Sequence, residues 1–101
     1  MLKRSDVEKL YALSALKHDY GVNSFLACCE GDWEDNGCAE KRKAVDVVIN
    51  DKIAEIKKES ADYADGCTAL FVARLFDVIG SRSVSRCMKV LEVLGVELDE
   101  A

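Results

Sequence analysis

Residues 38–64, CAEKRKAVDVVINDKIAEIKKESADYA, decide the fold. Val45, Ile49, Ile53, Ile56, Ser60 and Tyr63 recur along this stretch at intervals of three and four, the spacing that lines one stripe of an α-helix. Taken alone, Val45-Asp46-Val47-Val48-Ile49 is rich in β-branched residues and reads as a strand closed by Asn50-Asp51. The helical phase runs on through Ile53 and Ile56, so one long amphipathic helix over about 38–64 is expected. At 1.5 Å per residue it would span about 40 Å, more than a domain of this size needs to cover its own core. Its surplus stripe of Ile49, Ile53 and Ile56 is therefore expected to meet a partner, either a target protein or a second copy packed along it as a dimer seam.

Outward from this helix, punctuation falls to glycine, because the chain contains six glycines and no proline. Ser5-Asp6-Val7-Glu8 has the spacing of a capping box. A first helix should follow to about Tyr20, with Val7, Leu10, Leu13, Leu16 and Tyr20 on its apolar side and Gly21 as its end. Asn23 or Ser24 can cap a short second helix, Phe25 to Glu30, that Gly31 stops. Beyond the long helix, Asp65-Gly66 marks another end. Cys67 to Ile79 is expected to be the central, most buried helix, since only Arg74 and Asp77 are strongly polar after Thr68. Gly80-Ser81-Arg82-Ser83 is a break, and Val84, Cys87, Met88, Leu91 and Leu94 form the apolar face of a last helix. Gly95 should cap it with Val96 folded back, and the tail from Glu97 to Ala101 should fray. The expectation is a single all-α domain over residues 1–101, a compact bundle of four to five helices.

A chain of 101 residues, 50% hydrophobic and 33% charged, can bury an adequate core without disulfide or metal staples. It has no apolar run near the ~20 residues that span a bilayer, and Met1-Leu2-Lys3-Arg4-Ser5-Asp6 turns polar at once, so a cytoplasmic protein is expected. Five cysteines, two of them adjacent (Cys28 and Cys29), make a poor disulfide framework and fit reduced thiols. Cys67 and Cys87 lie in apolar stretches and are expected in the core.

Net charge is −5, of which residues 1–36 supply −3 (4 basic, 7 acidic). The excess concentrates at Glu30, Asp32, Glu34 and Asp35 around the single tryptophan, Trp33. That indole either tucks over the core, the commoner fate of Trp, or stands out as an interface anchor. The acids beside it would suit a basic protein surface. Asp32, Glu34 and Asn36 alternate ahead of Gly37 like the start of a calcium-binding loop, but the twelfth position is Lys43, where a bidentate Glu should close the sphere. A plain capped loop is expected instead, with no metal and no cofactor. Cys28, Cys29 and Cys38 lack paired zinc-ligand spacing. His18, the sole histidine, is expected to stabilise the end of the first helix. No phosphate-binding glycine loop, serine elbow or dinucleotide fingerprint is present, so an enzyme is not expected.

Ser83-Val84-Ser85-Arg86, followed by Met88, Leu91-Glu92 and Gly95-Val96, resembles the recognition helix of winged-helix repressors over about fourteen residues. The resemblance implies DNA contacts from Arg82, Ser85, Arg86 and Lys89. The chain departs from that family in its short turn before Val84, in the absence of room for a wing after Gly95, and in its acidic balance. The leading expectation is therefore a small non-enzymatic regulatory protein that binds and modulates, or inhibits, a larger partner through Glu30, Asp32, Trp33, Glu34, Asp35 and the Ile49, Ile53, Ile56 stripe. By analogy of size and composition alone, small accessory proteins of bacteria and their phages work this way. A DNA-binding regulator using the last helix is the alternative.

Overall fold

Two long helices form the frame of the molecule. In the computed structural model, which describes residues 1–59, 63–79 and 83–100, α1 spans Arg4–Cys29 and α2 spans Cys38–Glu59. They run antiparallel as a hairpin. Lys52 of α2 sits 3.0 Å from Asp6 near the start of α1, and Lys17 sits 2.9 Å from Asp46 further along. α3 (Tyr63–Ile79) lies on one face of the hairpin, parallel to α1. Asp65 at its start pairs with the Met1 amino group at 3.5 Å, and Asp77 near its end accepts from Ser14 Oγ at 3.3 Å. α4 (Val84–Val93) returns, buries Cys87 and Leu91, and delivers the chain to the start of α1. There β1 (Leu2–Lys3) pairs in parallel with β2 (Leu98–Asp99), with Leu2 opposite Leu98. The fold is thus the expected all-α bundle with a long amphipathic helix, but that helix ends at Glu59 rather than near 64, Tyr63 and Ala64 belonging to α3; the strand reading of 45–49 is displaced by its helical phase.

The core occupies only one end of this frame. Val7 and Leu10 of α1, Val45, Ile49, Ile53 and Ile56 of α2, Ala69, Val72, Ala73 and Phe76 of α3, and Cys87 and Leu91 of α4 are buried together. On α1 the last buried residue is Ser14, and on α2 the first is Val45. Everything between them, from Ala15 to Ala44, is an arm about 20 Å long that extends the molecule to 48 × 27 × 18 Å.

Several expectations need correction. Gly21 does not end a helix: α1 continues through it to Cys29, so Phe25 to Glu30 is no separate helix, and His18 stands mid-helix rather than at a helix end. The Ser5 capping box is not formed. Lys3 is the N-cap, because its strand pairing with Asp99 carries the chain straight into α1, and Glu8 pairs with Arg4 at 3.3 Å instead. Gly66 lies inside α3 rather than ending the helix before it. α3 is not buried all round. Ala69, Val72, Ala73 and Phe76 face inward, while Cys67, Leu70, Phe71 and Val78 are exposed on its outer side. The tail does not fray over Leu98–Asp99, and Arg4 reaches Glu100 at 3.4 Å. Ser60, Gly80, Ser81 and Arg82 lie outside the described residues. Other expectations hold: Ser83 caps α4 by accepting from Arg86 N, and Gly95 (φ 78°) closes it while Val96 N donates to Leu91 O at 3.0 Å.

Candidate interaction surface at the tip of the hairpin

The turn between α1 and α2 is built from the polar residues that drew attention in the sequence, and most of them are occupied with the turn itself. Gly31 adopts φ 87° and ends α1 with the double bond pattern of a left-handed cap, Asp32 N donating to Ala27 O and Gly31 N to Cys28 O. Asp32 Oδ1 then accepts from Glu34 N at 3.0 Å and Asp35 N at 3.2 Å. Asp35 is buried, and its carboxylate accepts from Ser24 Oγ across the hairpin and from Ala39 N at the start of α2. Asp35 is therefore a cap that ties the two helices together and not a docking residue. Asp32 is half-buried in its own turn. Only Glu30 and Glu34 of the expected acidic patch stand free on the surface.

Trp33 is thrown outward by this turn and is 94% exposed. The tucked reading of the indole is overturned. Asp32 and Asp35 close the turn beneath it, and the buried core ends several helical turns away. The last turns of α1 carry further apolar exposure: Phe25 (67%), Leu26 (51%) and Val22 are uncovered, and Cys28 and Cys29 are exposed free thiols. These apolar residues were not singled out as a surface, because Gly21 reads as a helix end. Their signal is the spacing Val22, Phe25, Leu26, Cys29, which is a helical stripe once the glycine is taken as helical.

The isoleucine stripe is corrected in the opposite sense. Ile49, Ile53 and Ile56 are 4–6% exposed and pack in the chain's own core, so they form no dimer seam. The shared stripe is covered by α1 and α3 instead of by a partner.

On the face of the hairpin that carries α3, an open cleft begins where α3 ends. Its inner part, about 310 Å³, lies over the edge-to-face pair Tyr11–Phe76 (5.8 Å between centroids, 88°) and Cys87. Lys17 enters it already paired with Asp46 at 2.9 Å and Asp77 at 3.4 Å. His18 and Arg42 line this part and also a second cleft of about 290 Å³ that continues toward the tip over Gly21, Val22 and Phe25. Arg42 lies across Gly21, its guanidinium 3.6–3.7 Å from where a β-carbon would stand, and it has no ion pair among the described residues.

The alternative surface is α4. Ser85, Arg86 and Lys89 are exposed, and Arg82 is outside the described residues. Ser85 and Lys89 share a shallow cleft with Glu92, Glu97 and Glu100. Among the described residues no three His, Cys, Asp or Glu side chains are placed to hold a metal ion, and no helix is long and apolar enough to cross a membrane. Comparison with protein-family models, with curated proteins and with solved structures gives no match.

Proposed function

We propose that this chain is a non-catalytic binding protein that docks on a larger protein through the tip of its helical hairpin and modulates that partner. The observation that carries the reading is the 94% exposure of Trp33 at the far end of an arm that places no fully buried hydrophobic side chain in the core. A tryptophan held in water at the end of a rigid turn gains nothing for folding, and indole rings are among the side chains that dominate binding energy at interfaces. Val22, Phe25 and Leu26 on the same arm add apolar area beside it. The free carboxylates Glu30 and Glu34 give this apolar tip an acidic rim, which would speed encounter with a basic surface and suppress binding to acidic ones.

The DNA reading is less well supported. Three acids line the cleft that holds Ser85 and Lys89, where phosphates would need neutralising charge.

The test is quantitative capture from the native cell with the full chain and with Trp33→Ser/Phe25→Ser. The expected result is one larger protein retained by the wild type, lost at least tenfold by the tip variant, and kept by a remote Val93→Ser control. Its affinity should fall as salt rises. Equal retention by the tip variant would sink the reading. Binding of labelled duplex DNA that depends on Arg86 and Lys89 would move the function to α4.

A further inference from the structure

Among the described residues, the face of the α1–α2 hairpin is covered by α3 over the body of the molecule and carries open clefts beyond it. Along the body, α3 seats Ala69, Val72, Ala73 and Phe76 against the hairpin. Past Asp77 the same face of α1 continues for 13 residues from Lys17 to Cys29, about 18 Å, which is the length of three further helical turns. That length suits a short helix. Gly21 contributes no side chain to its floor and Arg42 lies across it, so an incoming helix would meet the guanidinium there, and Val22 and Phe25 are exposed at its outer end.

The charge of the seat says what should occupy it. In the inner cleft Lys17 is neutralised by Asp46 and Asp77, and Asp19 lies at the rim. The outer cleft contains Arg42 and His18 and no acid. Arg42 is a guanidinium without an ion pair among the described residues, in a chain whose net charge is −5. A planar, five-donor group in that position is suited to a carboxylate, which it can hold by two parallel hydrogen bonds.

We propose that this cleft receives a helix of the partner protein, seated in line with α3, with an acidic side chain on Arg42 and apolar side chains over Val22 and Phe25. The proposal rests on the reading of the hairpin arm as the partner-binding region and names the chemistry of what binds there.

The experiment is selection of a displayed library of 16-residue helices, randomised on one face, against the immobilised full chain. Enriched helices should carry Asp or Glu within one turn of apolar anchors. Their affinity should fall at least tenfold with Arg42→Glu and with Phe25→Asp, and should be unchanged by Val93→Ser. Exchanging the selected acid for Arg should restore binding to Arg42→Glu. Both variants alter exposed side chains, and circular dichroism verifies that each keeps its helicity. No enrichment, enrichment without an acid, or indifference to Arg42→Glu would overturn the proposal. So would a solution mass showing that the wild type is a dimer abolished by Arg42→Glu, since the seat would then belong to a second copy. In any of these cases the tip reading stands if Trp33→Ser/Phe25→Ser still loses the captured protein. Only retention of that protein removes the tip reading itself.

Discussion

The two halves of α1 both carry apolar residues throughout and have opposite fates. From Arg4 to Ser14 the helix is pinned by β1, α2 and α3, and Val7 and Leu10 are completely buried. From Ala15 to Cys29 it faces mainly α2 and the turn, with Lys17 still reaching Asp77 of α3, and Leu16, Val22, Phe25 and Leu26 remain in solvent. Burial is thus decided by where α3 and α4 end rather than by the apolar content of the helix they cover. The body supplies stability and the arm supplies surface, a division that separates substitutions into two classes.

The largest difference should come from equivalent truncations. Leu10→Ala removes a fully buried side chain from the meeting point of the helices and should lower unfolding free energy by about 3 kcal/mol. Leu26→Ala, on the same helix, should change it by no more than about 0.5 kcal/mol. Urea denaturation followed by far-UV circular dichroism measures both. Comparable losses would mean that the arm is part of the cooperative core, and the division would fail.

The ion pair Asp6–Lys52 sharpens the comparison next. Its side chains are 13–14% exposed, so it lies between a solvated pair worth under about 1 kcal/mol and a buried one whose breakage costs about 3–5 kcal/mol. Asp6→Asn should therefore destabilise by about 2 kcal/mol. The hydrogen bond from Lys52 to Asp6 raises the Lys52 pKa above its ordinary 10.5, against the opposing effect of burial. Since the folded value exceeds the unfolded one, the stabilisation is complete below pH 10.5 and is lost as pH rises through the folded value. The urea midpoint of the wild type should fall more steeply than that of Asp6→Asn above pH 10.5. Parallel curves would remove the pair from the stability of the body.

How far the fold was legible follows from what each residue signals. The three-and-four spacing from Val45 to Ile56 has one physical interpretation over that length, and the helix is there. Ser83, Gly95 and Val96 act through local hydrogen bonds, and they too are where the pattern puts them. Gly21 and Gly66 misled because a glycine inside a helix is indistinguishable, in one sequence, from a glycine that ends one. The apolar run of α3 concealed its inner face, since residues on both sides of it are apolar and only tertiary packing chooses between them. At the candidate site, the sequence exposed the acids and the tryptophan but not their division of labour. Asp32 and Asp35 are consumed by the turn, and Trp33 is left outside because of it. Arg42 could not have been found, for its significance arises only from the face it shares with residues twenty positions away.

The smallest effect, and the one most specific to the contrast between arm and body, concerns those two glycines. Both sit inside helices, where alanine would be favoured by about 1 kcal/mol on backbone grounds. At Gly21 in the arm a β-carbon would meet Arg42 at an ordinary 3.6 Å, so Gly21→Ala should stabilise by about 0.5–1 kcal/mol. At Gly66 in the body it would overlap Lys57 Cγ, with Cδ and Cε close behind. The whole lysine stem must leave the α2–α3 contact, and the loss of that packing should outweigh the backbone gain. Gly66→Ala should therefore destabilise the wild type, yet stabilise a Lys57→Ala background from which the obstruction has been removed. Urea titrations of the wild type, Gly21→Ala, Gly66→Ala, Lys57→Ala and the Lys57→Ala/Gly66→Ala double variant decide it. If the two glycine substitutions shift the midpoint equally and in the same direction, close packing at Gly66 is not what keeps a glycine there, and the body is no more tightly built than the arm.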